Sequence, residues 1–274
     1  MLTERLLKVD NYHFNYCSIG NSSNLPILFL HGFMGDYQEF YESILLLSNQ
    51  FYCLAVNLPG HGKTQVIGGE KYYKIEYIAE GLLEFLKSLN IPKCILIGYS
   101  MGGRLALYLA LHFPTYFSHI ILESASPGLK TPEEREDRVQ TDLKLAEELE
   151  NQNLSSFLTK WYNQPLFASI KQNPDFDRML ERRLQNNPQE LAKALRNLST
   201  GLQPSLWSKL KSNPIPLLLI VGELDRKFIG INNEMLSLCQ VARLEIVSNC
   251  GHNVHLEKVD LFGEKIRDFI IFPR

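Results

Sequence analysis

Cys94-Ile95-Leu96-Ile97-Gly98-Tyr99-Ser100-Met101-Gly102-Gly103-Arg104-Leu105-Ala106-Leu107 decides the reading of this chain. Four apolar residues of β type come first, then Gly98-Tyr99-Ser100-Met101-Gly102, then a run of good helix formers reaching Leu111. A G-x-S-x-G placed between a strand and a helix is the pattern of a nucleophile elbow. The serine sits on a strained turn that lifts its hydroxyl above the strand ends. The flanking glycines are needed because a Cβ at either position would clash in so sharp a turn. Behind the serine, the helix N-terminus offers free N–H groups and the positive end of a dipole.

Outward from this point, the pattern alternates between strand and helix. Tyr12 to Ile19 reads as an early strand, and Pro26-Ile27-Leu28-Phe29-Leu30 as a strand buried on both faces. The latter runs into His31-Gly32-Phe33-Met34-Gly35-Asp36, a turn able to aim backbone N–H groups into a site. A helix from Tyr37 to Leu47, a strand from Phe51 to Val56, the turn Asn57-Leu58-Pro59-Gly60-His61-Gly62 and a helix from Tyr73 to Leu89 follow. Beyond the elbow helix, Ser118 to Glu123 is another strand. From Thr131 to about Lys211 the pattern is polar and helical without a convincing strand. Buried-strand character returns at Pro216-Leu217-Leu218-Leu219-Ile220-Val221, then come a helix near Asn232–Leu238, a strand Arg243–Val247 and a helix Val259–Ile271. Strands alternating with helices imply a mostly parallel sheet covered on both faces, an α/β fold. The expected organisation is a core of residues 1–128 and 212–274 with a helical cap inserted at 129–211.

Composition narrows the class. The 274 residues are 45% hydrophobic and 21% charged, enough for one large domain with a sizeable core. A net charge of −2 without a basic run argues against nucleic acid. The start, Met1-Leu2-Thr3-Glu4-Arg5, lacks the layout of a signal peptide, and no apolar stretch is long enough for stable membrane insertion. Cys17, Cys53, Cys94, Cys239 and Cys250 are scattered, with no metal-ligand spacing. Their odd number reads as reduced thiols in a cytoplasmic protein, and neither a metal nor a cofactor is expected.

A serine hydroxyl needs a partner to take its proton. Asp225 lies just past one buried strand and His252 just past the last, so the chain order is Ser100, Asp225, His252. That is the order of the α/β-hydrolase fold, with His252 accepting the proton and Asp225 fixing the imidazole. Glu223 and His255 are the local competitors, while His31 and His61 sit in glycine-rich turns and read as structural. The N–H groups of Phe33 and Met101 are the expected oxyanion donors. Arg104 follows Ser100 by four residues, about one turn along the same helix face, and beside a serine it calls for an anion. Arg135, Arg138, Arg182 and Arg183 lie in the helical block, where a solvated helix face competes with a binding role. On residues alone, a carboxylesterase, a C–C bond hydrolase and a non-catalytic ligand receptor on the same fold all stay open.

Together these motifs resemble the α/β-hydrolase superfamily. Gly98-Tyr99-Ser100-Met101-Gly102-Gly103-Arg104, Leu122-Glu123-Ser124-Ala125-Ser126-Pro127-Gly128-Leu129, Trp161-Tyr162-Asn163-Gln164-Pro165-Leu166-Phe167 and Gly222-Glu223-Leu224-Asp225-Arg226-Lys227-Phe228 further resemble the 2-succinyl-6-hydroxy-2,4-cyclohexadiene-1-carboxylate synthase family of menaquinone and phylloquinone biosynthesis. The resemblance implies a lyase that expels pyruvate from 2-succinyl-5-enolpyruvyl-6-hydroxy-3-cyclohexene-1-carboxylate, with Ser100 as a general base and no acyl-enzyme. It implies that Tyr99, Arg104, Arg138, Trp161 and Arg183 contact a small, multiply carboxylated substrate, with Arg182 as the rival of Arg183. A monomer or weak oligomer is expected. One departure from common spelling is Asn57, where hydrolases usually carry aspartate.

Overall fold

Short runs of Leu, Ile and Val form the centre of the molecule because a strand between two helical layers buries both its faces. The computed structural model describes residues 3–272. Met1 and Leu2, part of the N-terminal stretch read above, lie outside the described residues, as do Pro273 and Arg274. The strands are β1 (Thr3–Val9), β2 (Tyr12–Ile19), β3 (Pro26–Leu30), β4 (Tyr52–Val56), β5 (Gln65–Val66), β6 (Cys94–Tyr99), β7 (Phe117–Glu123), β8 (Leu217–Gly222) and β9 (Ala242–Val247). They form one sheet in the order β1-β2-β4-β3-β6-β7-β8-β9, with β5 on β2. The pairs from β4 through β9 are parallel, and β1, β2 and β5 join antiparallel. Alternate residues go to opposite faces: Leu28, Leu30 and Leu96 to one core, Ile27, Phe29, Ile95 and Ile97 to the other.

In register, Gly98 of β6 lies beside Leu30 of β3 and Leu122 of β7. The loops leaving these three strands therefore gather at one edge, the carboxyl ends where open α/β sheets bind ligands. Between β7 and β8 the described chain contains helices and turns but no strand. Its long helix, Pro132–Asn151, opens on a capping box between Thr131 and Glu134 with proline at the first position. Together with helices Leu154–Tyr162, Phe176–Arg183 and Pro188–Asn197 it surrounds a separate apolar cluster that includes Phe157, Tyr162, Met179 and Leu191. Met34, from the loop after β3, plugs into that cluster and ties the block to the sheet.

Three details differ from expectation. β1 and β5 are strands that the alternation did not announce. The segment from Tyr37 starts as a 3-10 turn, Tyr37–Phe40, before the helix Tyr41–Leu47. The helix after β8 begins at Arg226, one residue past Asp225, rather than near Asn232.

Candidate active site

Ser100 has φ 49° and ψ −106°, a left-handed conformation that costs a non-glycine residue about 1–3 kcal/mol. The surroundings enforce it. A Cβ on Gly98 would lie 2.5 Å from the Gly102 carbonyl oxygen, and one on Gly102 would lie 2.1 Å from that of Leu30. The Ser100 N–H donates to the Glu123 carbonyl at 2.9 Å, and its own carbonyl receives the Arg104 N–H at 3.0 Å. The turn is thus pinned to β7 on one side and to helix Met101–His112 on the other.

The hydroxyl meets His252 Nε2 at 3.2 Å, and His252 Nδ1 meets Asp225 Oδ2 at 2.6 Å. A carboxylate only accepts, so Nδ1 carries the proton and Nε2 presents a lone pair to Ser100. Asp225 also ends the preceding loop. Its Oδ1 accepts the Phe228 N–H at 3.3 Å and caps helix Arg226–Leu238. Capping and histidine orientation, alternatives in the sequence, coexist in one side chain. The competitors are occupied elsewhere. Glu223 accepts the Asn249 N–H at 2.9 Å. His255 Nδ1 lies 2.7 Å from the Glu123 carboxylate, fully buried. His31 Nδ1 donates to the Gly32 carbonyl and its Nε2 accepts the Leu58 N–H, while burial holds its pKa down, so it stays neutral.

Ser100, His252, Met101 and Phe33 border one cavity of about 570 Å³. Met101 is the first residue of its helix, so its N–H has no carbonyl one turn earlier within that helix. Trp161 borders the same space, its ring 5.5 Å from Phe33 and 6.1 Å from Phe167. Arg104 and Arg138 border it too. The Arg138 Nε donates to both oxygens of the buried Asp142, each at 2.9 Å. Arg104 Nη1 donates to Gln203 Oε1 at 2.7 Å and Nη2 to the Leu198 carbonyl at 2.9 Å. Both acceptors are neutral. Burial, then the charge of Arg138, push Arg104 from 12.5 down to about 10, which still leaves it charged at neutral pH. Arg135 instead donates its Nε to the Gly201 carbonyl at 2.9 Å and does not border the cavity.

Two residues expected to contact substrate are placed differently. Tyr99 is buried beneath the elbow, its ring 5.3 Å from that of His252 and 4.8 Å from that of His255, and it does not border the cavity. Strand alternation explains this: the residue before the serine faces into the helical layer below. Arg183 is equally absent from the cavity wall. Its Nη2 is ion-paired with buried Glu39, and its Nε donates to the Tyr162 hydroxyl at 3.1 Å. Glu39 Oε2 in turn accepts the Gly32 N–H at 3.2 Å, so this pair joins the helical block to the loop that carries Phe33. Burial alone would raise the Glu39 pKa, but Arg183 and then His255 hold it down to about 2. Removing one partner of such a buried pair costs about 3–5 kcal/mol. Arg182 lies 4.0 Å from Asp36 and also does not border the cavity.

Other residues at the site carried no sequence signal for a role. Phe228 and Phe167 flank the His252 ring at 4.8 and 5.9 Å and shield it from water. Lys130 borders the cavity while ion-paired with Glu234. Asn57 has a local reason. Its Oδ1 accepts the Tyr37 N–H at 2.6 Å and its Nδ2 donates to Asn15 Oδ1 at 2.7 Å, so an aspartate would set oxygen against oxygen. Among the described residues, no cluster of His, Cys, Asp or Glu could hold a metal ion, and no helix is long and apolar enough to cross a membrane.

The α/β hydrolase fold family model matches residues 26–259. The 2-succinyl-6-hydroxy-2,4-cyclohexadiene-1-carboxylate synthase of Citrobacter koseri is 34% identical over 231 residues, covering 84% of this chain and 88% of that protein. The enzyme of the same name from Enterobacter sp. is 33% identical, covering 84% and 86%. The structure of MenH from S. aureus superposes with a TM-score of 0.88 at 33% identity, covering 95% of this chain and 97% of that one. A thermophilic esterase from Thermogutta terrifontis gives 0.83 at 22% identity, a likeness of fold alone. The chain belongs to the 2-succinyl-6-hydroxy-2,4-cyclohexadiene-1-carboxylate synthase family of α/β-hydrolase proteins.

Proposed function

We propose that this protein is a lyase of menaquinone or phylloquinone biosynthesis. It eliminates pyruvate from 2-succinyl-5-enolpyruvyl-6-hydroxy-3-cyclohexene-1-carboxylate to leave 2-succinyl-6-hydroxy-2,4-cyclohexadiene-1-carboxylate. The observation that carries the reading is Arg104: a half-buried guanidinium, hydrogen-bonded only to neutral acceptors, on the wall of the cavity that holds Ser100. A neutral ester gains nothing from such a group, whereas a carboxylate gains charge and bidentate orientation.

In this reading Ser100 acts as the base. Its Oγ takes the ring proton as its own proton passes to His252 Nε2, and Asp225 stabilises the resulting imidazolium. The electrons of the broken C–H bond form a new ring double bond, existing double bonds shift, and the C–O bond to the enolpyruvyl group breaks. Enolpyruvate leaves with its electron pair, receives the proton held by His252, and ketonises to pyruvate. No water is consumed. The Phe33 and Met101 N–H groups stabilise charge that develops as the proton departs. Arg104 and Arg138 hold carboxylates, and Trp161 forms an apolar wall. Residues 129–211 serve as the cap that closes this space over the core.

The test is stoichiometric pyruvate release. The protein incubated with the enolpyruvyl substrate is expected to yield one pyruvate per ring product, and to hydrolyse simple carboxylic esters far more slowly. Fast ester hydrolysis without pyruvate release would favour a carboxylesterase or C–C hydrolase. Binding without any turnover would favour a ligand receptor.

A further inference from the structure

A guanidinium partly withdrawn from water commonly faces a carboxylate, because its charge loses solvation there. Arg104 does not. Its two acceptors are Gln203 Oε1 and the Leu198 carbonyl, and Arg138, of the same sign, borders the same cavity. The nearby carboxylate, Asp142, is already bonded to Arg138. Gln203 is only 2% exposed. Its amide orientation is fixed by chemistry: a guanidinium only donates, so the atom facing Nη1 is the oxygen. The amide Nε2 is then left buried without an acceptor among the described residues. A glutamate at this position would have the same shape, would pair with Arg104, and would forfeit no hydrogen bond at the second atom. A glutamine whose amide nitrogen is left orphaned in the interior is a locally disfavoured choice, and such a choice points to function.

Space around Arg104 adds a second consideration. The side chain also borders a smaller pocket of about 170 Å³, lined by Gln203, Lys74 and Ser199. The guanidinium therefore has room to turn away from Ser100, and the Gln203 oxygen is one of the two groups that hold it.

We propose that Gln203 is a positioning residue for anion recognition: its neutral amide oxygen aims the Arg104 guanidinium at the Ser100 cavity and leaves that positive charge uncompensated for a carboxylate of the ligand. Gln203 thereby selects multiply anionic ligands over neutral ones. The inference rests on the reading that the cavity takes a carboxylate-bearing substrate.

Gln203→Glu tests it. The variant is expected to stay folded and to melt near the wild type, because pairing with Arg104 offsets the desolvation of the new carboxylate. Its KM for the enolpyruvyl substrate should rise about tenfold or more, the loss of one charge-assisted contact. Its kcat should change less than about threefold, since the serine, histidine and aspartate are untouched. Succinate, a simple dicarboxylate probe, should bind at least about tenfold more weakly by calorimetry. Gln203→Met removes the acceptor without adding charge, so KM should rise through loss of aim alone. Wild-type KM and wild-type succinate affinity in Gln203→Glu would overturn the proposal. So would a variant pair that loses melting temperature equally and keeps KM, which is what a purely structural role gives. Succinate binding requires no turnover. A wild-type protein that binds succinate but releases no pyruvate therefore counts against the lyase reading alone, and one that binds no dicarboxylate counts against Gln203.

Discussion

Ser100→Ala, His252→Ala and Asp225→Asn are each expected to lower turnover by roughly 10²–10⁴-fold while the protein stays folded. The physical reason differs for each. Ser100→Ala removes the atom that faces His252 Nε2 at 3.2 Å. His252→Ala removes the proton acceptor. Asp225→Asn is the subtler change. The amide oxygen can still accept the Phe228 N–H, so the helix cap survives. The amide nitrogen then faces His252 Nδ1 and donates to it, which forces the ring proton onto Nε2. A protonated Nε2 cannot accept from Ser100, so the row is broken without loss of shape. Because the three groups act as a unit, a double variant should lose little more than the worst single one. Activity assays and thermal melts on the three purified variants check this. Near-normal activity in Ser100→Ala would remove the serine from the chemistry.

Arg104→Ala is expected to lower kcat/KM by roughly 10²-fold, against less than about threefold for Arg135→Ala. Both arginines are partly enclosed and both hydrogen-bond a backbone carbonyl, so charge alone does not separate them. Position does: Arg104 borders the cavity of Ser100, and Arg135 does not. Arg104→Lys should fall between, because an ammonium keeps the charge but lacks the planar fork that grips a carboxylate with two parallel bonds. Removing Arg104 also leaves Gln203 Oε1 and the Leu198 carbonyl without their donor, so a modest loss of stability accompanies the kinetic effect. Steady-state kinetics below the melting temperature of each variant, paired with thermal melts, distinguish the two contributions. Equal, small effects for Arg104 and Arg135 would make Arg104 structural.

The parts of the fold that could be read from the chain are those buried on both faces. β3, β6 and β8 are continuous apolar runs, and solvent has no influence on their pattern. β1 escaped notice because it is a mostly exposed edge strand carrying Glu4, Arg5 and Lys8, held by one antiparallel neighbour. Its tight connection to β2 includes Asp10 at φ 45°, a conformation that aspartate tolerates better than most residues. At the site, Ser100, Asp225 and His252 were legible because strand ends place them by chain order. Arg104 was legible because helical spacing fixes its angle relative to the serine. Arg183 was not, because its role depends on Glu39, 144 residues away in the chain, and no local pattern announces that pairing. Gln203 escaped for the same reason: only the fold brings it to Arg104, 99 residues away.

The most direct measurement concerns the covalent history of Ser100. A proton-abstracting lyase and a nucleophilic hydrolase can share one serine, histidine and aspartate, so mutagenesis alone does not separate them. Isotopic substitution of the ring hydrogen slows the reaction only if proton removal, rather than product release, limits turnover. Mass spectrometry of enzyme quenched rapidly during turnover is free of that ambiguity. The account predicts intact, unmodified Ser100 throughout, while pyruvate accumulates. A substrate-derived adduct on Ser100 that forms and decays at the turnover rate would contradict it.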